Sequence, residues 1–310
     1  MSRRQSDRLS GRVESTPALA QAGATDVVAK TNDSAARTLS PSRRPPRLSL
    51  ARLASITDRL DERDLGVVAT LDRVRMATGD HLRRIHFEDV PSSDRQARRV
   101  LGRLVELGVL ARLERVVGGR RAGSTGFIYS LGTAGQRLAG SRGPAKGRRL
   151  QQPWTPSSPY LTHLLTVTEL YVRLKEHGGT GEFDLLNFDA EPACWRSFMG
   201  HGGDRLWLKP DAFVRVSVGD TERLHFVEID CGTESPRTLD RKLERYRRYA
   251  GSGAEIERWG VHPFVTWFAP DARRVQVVVD ACGRTPAELW PLFQVAVFDR
   301  AVSTLLGGTS

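Results

Sequence analysis

The chain has 310 residues, 39% hydrophobic and 27% charged, which is ordinary for a soluble globular protein and enough for two domains with separate cores. Its net charge of +11 lies wholly in the first half: residues 1–60 carry a net +6, 61–150 a net +8 and 151–310 a net −3, as in a polyanion reader joined to something else. Three scattered cysteines, Cys194, Cys231 and Cys282, exclude a disulfide framework and a structural zinc site, and no apolar run reaches the ~20 residues that span a bilayer, so a cytoplasmic protein is expected.

Residues 1–57 are rich in Ser, Arg, Ala, Thr and Pro with no sustained period, and they read as a disordered basic arm. The opening MSRRQSDRLSGRVES has charges but no apolar core after them, so it is not expected to be a secretory signal. A first domain is expected over 58–140. Leu60, Leu65, Val68 and Leu71 recur at helical spacing, and a second short helix runs from Gly79 with Asp80 as its expected cap. A third helix from Asp94 buries Ala97, Val100, Leu101, Leu104 and Leu107, with Ser92 or Ser93 before it and Gly108 as its stop. Arg95, Gln96, Arg98, Arg99 and Arg103 fall mostly off that apolar stripe. After Gly108 the period changes to two, giving a β-hairpin, VLARLERVV to FIYSLG, whose tip carries Arg120 and Arg121.

Three helices followed by a two-stranded wing is the order of a winged helix-turn-helix, and the run LVELGVLARLER…YSLGTAGQRLA resembles winged-helix domains of bacterial regulators. A helix in the major groove needs donors that reach base edges and phosphates, and a wing needs cations for the adjacent backbone. Arg95, Gln96, Arg98, Arg99, Arg103, Arg120 and Arg121 are therefore the candidate contacts to double-stranded DNA.

The Pro/Gly/basic stretch 141–159, with Trp154 in it, reads as a linker. A second domain over 160–300 opens with the helix YLTHLLTVTELYVRLKEHG. It continues with the strands EFDLLNF, WLKPDAFVRVSV and LHFVEID, a basic helix from Ser235 to about Tyr249, and the strand PFVTWFA. ARRVQVVVDAC and an expected apolar helix, PAELWPLFQVAVF, follow, with 301–310 as a tail. In HFVEID, strand alternation sends Phe226, Glu228 and Asp230 to one face and Val227 and Ile229 to the other. Pairing with KPDAFV brings Asp211 across from Glu228. Clustered, half-buried carboxylates repel one another, and a hard divalent cation relieves them; oxygen ligands and a phosphate substrate favour Mg²⁺. Asp211, Glu228 and Asp230 are the candidate metal ligands.

This αβββαβ order with "PD…ExD" resembles the PD-(D/E)xK nuclease superfamily. That resemblance implies metal binding by Asp211 and Glu228 and a lysine that stabilises the attacking hydroxide. Asp230 stands where the lysine is expected; Lys242 on the following helix and Lys209 are the candidates to replace it. Taken whole, the chain resembles the replication-relaxation family, in which a winged helix is joined to a nuclease-like domain, on His163, Glu169, Pro210-Asp211, VEIDCGTES and LDRKLERYRRY. The catalytic set expected is Asp211, Glu228, Asp230 and Lys242, in an α+β protein acting in plasmid or mobile-element replication. A second copy of the chain or replication and transfer proteins are further expected partners. A degenerate nuclease fold used as a scaffold and a winged-helix transcriptional regulator remain open alternatives. His163 reads as a packed core histidine and Tyr246 as packing; Glu169 and Glu191 are weighed as further metal ligands.

Overall fold

Ser49 caps α1 (Leu50–Thr57) through a hydrogen bond from the Arg52 amide, and Asp61 and Asp64 form a reciprocal capping box that starts α2 (Glu62–Val74). Residues 50–57, expected in the basic arm, are thus helical. The computed structural model describes residues 48–87, 90–113, 126–142, 156–200 and 202–308. The arm up to residue 47, the hairpin tip with Arg120 and Arg121, and linker residues 143–155 with Trp154 lie outside the described residues.

Beyond α2, Arg75 has φ 70°, unusual for a residue with a side chain, and turns the chain into β1 (Met76–Thr78). Thr78, not Asp80, caps α3 (Gly79–His86): its extended backbone aims the hydroxyl at the His81 amide, while Asp80 in the first turn pairs with Arg83 at 3.0 Å. Then come α4 (Ser93–Glu106), β2 (Leu110–Leu113), β3 (Ile128–Leu131) and α5 (Thr133–Arg142). Gly108, at φ 69°, ends α4 as its composition suggests. The three strands form an antiparallel sheet in the order β1-β3-β2. Val67, Leu71, Leu82, Leu101 and Leu104 fill the core beneath it. Gly135 lets α5 lie against the strand: a Cβ there would sit 2.2 Å from the Val109 carbonyl oxygen.

The second half runs α6 (Ser158–Gly178), β4 (Asp184–Ala190), β5 (Arg196–Met199), β6 (Arg205–Leu208), β7 (Ala212–Val218), β8 (Thr221–Ile229), α7 (Pro236–Ala250), α8 (Ala254–Trp259), β9 (Phe264–Ala269), α9 (Ala272–Gly283), β10 (Phe293–Val297) and α10 (Ala301–Leu305). A five-stranded mixed sheet has the order β10-β9-β8-β7-β4, parallel from β10 to β8 and antiparallel from β8 to β4. The stretch expected as one strand, WLKPDAFVRVSV, breaks at Pro210, which has no amide proton for a ladder; β6 leaves to pair with β5, and β7 enters the main sheet. The expected helix PAELWPLFQVAVF is instead a 3-10 turn, Ala287–Leu292, and then β10. Pro291 cannot continue a helix, and Val295 and Val297 suit a strand. Residues expected as a tail form α10 and bury Ala301, Val302 and Leu305 in the core.

Each face of the sheet has its own apolar core. Val227 and Ile229 join α6 and α10 on one side, and Phe226 joins α7 and α9 on the other, as the strand alternation predicts. The two halves pack directly on each other. Met76, Leu113 and Ile128 share a small core with Leu161 and Leu164 of α6, the Thr168 hydroxyl donates to the Met76 carbonyl at 2.7 Å, and Arg73 reaches the Phe188 carbonyl at 3.2 Å.

Candidate active site

The break at Pro210 places Asp211 at the mouth of β7, one position beyond the Ala212–Val227 pair and so across from Glu228 on β8. The Asp211 amide donates to the Val227 carbonyl at 3.0 Å, and the Ile229 amide donates to Asp211 Oδ2 at 2.7 Å, which fixes the carboxylate against the neighbouring strand. Glu228 is 2% exposed. Helix α7 supplies both of its partners. Lys242 Nζ lies 2.7 Å from Glu228 Oε2, and the Tyr246 hydroxyl donates to Oε1 at 2.6 Å. Their spacing of four residues puts both side chains on one helix face, the face that also buries Leu239 and Leu243. Lys242 Nζ also lies 2.6 Å from Glu234 Oε1 and 5.4 Å from the centre of the Trp267 ring.

Two carboxylates, Glu228 and Glu234, thus meet at one ammonium, while Asp211 faces His163. Burial, with the charge of Asp211, pushes Glu228 up to about 7 against the pull of Lys242. Burial opposes the Lys242 ammonium, yet Glu228, Asp211 and Glu234 together raise it well above the ordinary lysine value. Burial likewise works against an ionised Asp211, but His163 holds it below the usual aspartate value. His163 Nε2 lies 3.2 Å from Asp211 Oδ1, and although burial disfavours the imidazolium, that carboxylate raises it to about 11. His163 is therefore an ion partner of the site as well as a packed residue.

Asp230 goes elsewhere. Its Oδ2 accepts from Arg274 Nε at 2.7 Å and its Oδ1 from the Gly232 amide at 2.7 Å, while Arg274 also reaches the Glu234 carbonyl at 2.7 Å. Its charge is taken by Arg274, whereas that of Glu228 is met by Lys242 and that of Asp211 by His163. The geometry gives it the part of an anchor for the turn into α7, not that of a third ligand. Lys209 turns outward, its Nζ 4.4 Å from the centre of the Trp195 ring.

Among the described residues, no three His, Cys, Asp or Glu side chains form a group that could hold a metal ion by themselves. Asp211 and Glu228 are two oxygen donors, and with Glu234 they leave three carboxylates facing two cations. A hard cation such as Mg²⁺, commonly held by one or two carboxylates with waters and substrate phosphates completing its shell, would have Asp211 and Glu228 as its protein donors here.

Glu169 and Glu191, weighed as extra ligands, have other partners. Glu169 takes Arg84 at 2.6 Å, Arg173 at 2.9 Å and His81 at 3.3 Å, and although burial opposes its charge, those donors hold it at about 2. Glu191 pairs with Arg75 at 2.8 Å and accepts from the Tyr160 hydroxyl. On α4, Arg95, Arg98 and Arg99 are exposed and Gln96 is half-buried. Arg103 instead binds the buried Asp64 carboxylate and the Arg59 carbonyl. Sequence reasoning read Tyr246 as packing alone and passed over Arg274. The four-residue spacing from Lys242 was the signal for Tyr246; for Arg274 nothing but the need of a buried Asp230 for a cation pointed to it.

Comparison with curated proteins and with solved structures finds no match. No helix among the described residues is long and apolar enough to cross a membrane. The family model of replication-relaxation proteins matches residues 68–265, a span that holds both the arginine-faced α4 and the whole cluster from His163 to Tyr246. The chain belongs to the replication-relaxation family.

Proposed function

We propose that the protein binds duplex DNA through its basic N-terminal half and cleaves a phosphodiester bond at the Asp211–Glu228–Lys242 cluster, with Mg²⁺ bound there, in the replication of a plasmid or mobile element. The observation that carries this reading is Lys242 Nζ at 2.7 Å from Glu228: the lysine that the strand lacks arrives from α7. The α-β-α-α-β-β order of residues 62–131 supports a winged helix, with α4 as its reading helix and Arg95, Arg98 and Arg99 free to face phosphates and base edges. Family membership supports the setting in replication.

Within the cluster each residue has a task. His163 and the Ile229 amide hold Asp211 in one orientation, and Tyr246 does the same for Glu228. Lys242, held between Glu228 and Glu234, supplies positive charge beside the place where a hydroxide attacks. Mg²⁺ bound by the two carboxylates would lower the pKa of a water and take up charge on the phosphate. A second reading, a catalytically silent scaffold, is favoured by one observation: all four oxygens of Asp211 and Glu228 already have partners within the chain.

The two are separated by incubating supercoiled and linear DNA with the protein in Mg²⁺ or Mn²⁺, beside an Asp211→Ala/Glu228→Ala variant. Nicking or cutting by the wild type alone is expected. Intact DNA in every lane, or equal cleavage by the double variant, would leave the scaffold reading in its place.

A further inference from the structure

Beside the carboxylate cluster, where β4 and β7 meet the β5 and α8 segments, lies an open cleft of about 570 Å³. This falls within the ~300–1,000 Å³ of ordinary ligand pockets. Phe213, two residues beyond Asp211 on β7, forms part of its wall, so the cleft adjoins the proposed cleavage site along one strand. The rest of its lining is a combination the proposed chemistry leaves unused: Trp195 and Trp259, with Arg196, Arg215, Arg258 and Asp189.

The arginines differ in availability. Arg196 is fixed by Glu255 at 3.0 Å and by the Cys194 carbonyl at 2.8 Å. Arg215 pairs with Glu222 at 2.7 Å and lies 4.4 Å from the centre of the Trp259 ring. Arg258 is exposed and has no ion pair among the described residues. Neither buried indole N–H has an acceptor among the described residues. Trp259 lies between Arg215 and Phe213, and Trp195 has Lys209 over its ring at 4.4 Å, which leaves a half-buried Trp195 with a lysine beside it as the stacking surface. Aromatic faces beside guanidinium groups suit a ligand that is flat at one end and anionic at the other. Asp189, held by Asn187 at 2.9 Å, adds an acceptor for an exocyclic amine. An acidic peptide would use the arginines but not the face of Trp195.

We infer that this cleft takes one nucleotide, with its base stacked on Trp195 and its phosphate on Arg258 and Arg215. Its source is an unpaired position in a DNA strand entering the neighbouring site or a free nucleoside phosphate. The strand source rests on the DNA-cleaving reading above; the nucleotide chemistry does not.

The test is fluorescence polarisation of a labelled single-stranded (dT)8 titrated with the full chain in EDTA, with dTMP, thymidine and poly-Glu as competitors. Metal-dependent cleavage plays no part in it, so a failure of that reading leaves this measurement standing. Saturable binding is expected, competed by dTMP but not by thymidine or poly-Glu. Trp195→Leu and Arg258→Gln should each weaken it about tenfold, as loss of one stacked base or one phosphate contact implies. Arg273→Gln on α9, an exposed arginine outside the cleft, should leave it unchanged. Because Arg258 is exposed, its variant keeps the fold and serves if the Trp195 variant does not. Competition by dTMP as strong as by unlabelled (dT)8 assigns the cleft to a free nucleotide, and much weaker competition to a strand; both support the inference. Absence of binding, equal competition by poly-Glu, or affinities indifferent to both substitutions overturns it.

Discussion

Glu228 is held by two side chains from one helix, and its charge state decides what the cluster does. With its carboxyl raised from 4.5 to about 7, folding takes up a proton in that window, so this group makes the protein more stable as pH falls through it. Lys242→Met leaves the buried carboxylate without its cation. It should cost about 3–5 kcal/mol at pH 8 and clearly less at pH 5.5, where Glu228 is protonated; urea melts at the two pH values check this. His163 has the same sign as Glu228, and only Asp211 has the opposite one. The histidine is raised from 6.5 to about 11 and the aspartate lowered from 3.8, so their pairing is fully present between 3.8 and 6.5 and fades as pH climbs towards 11. Melts of His163→Gln should show a deficit of about 1.5–3 kcal/mol near pH 6 that shrinks by pH 9. The pair of carboxylates was legible in the sequence because strand alternation and register are strict. Lys242 was legible only as one of two candidates, since a helix brings its side chain to the strand through tertiary packing, which local pattern does not encode.

Helices α4 and α7 show what periodicity can and cannot tell. On α4 the apolar stripe separates buried leucines from arginines, and Arg95, Arg98 and Arg99 do lie exposed. The stripe gives no sign that Arg103 is bound to Asp64, because that partner comes from α2. Replacing Arg98 and Arg99 together with Gln should weaken duplex binding and reduce the slope of log affinity against log salt by about 2, read from titrations at several salt concentrations. On α7 the same logic labels Tyr246 as packing, which it is, while hiding the hydroxyl that reaches Glu228. The misreading of β10 as helix has a related cause: a short apolar run does not reveal whether it lies in a sheet or a helix, and here Pro291 decided it.

At the scale of the whole molecule, the change from a basic front to an acidic back was read as two domains with a linker, and residues 143–155 lie outside the described residues. What composition does not convey is how closely the halves adhere. Arg84 of α3 binds Glu169 and Glu176 of α6, and the Met76–Leu161 core lies beneath. A double-mutant cycle on Arg84→Gln and Glu169→Gln should give a coupling of about 0.5–3 kcal/mol in thermal or urea melts. Such a junction joins the N-terminal helices to α6, the helix that carries His163 to the cluster. The cluster's proposed chemistry is tested most directly by single-turnover cleavage of supercoiled DNA in Mg²⁺ from pH 5.5 to 8.5. The carboxylates must be ionised to hold the metal and the metal competes with the proton, so at sub-saturating Mg²⁺ the rate should rise with pH as Glu228 loses its proton, and should vanish in Glu228→Gln. A rate flat across that range, cleavage retained by Glu228→Gln, or no cleavage at any pH would contradict a metal-dependent nuclease at this site.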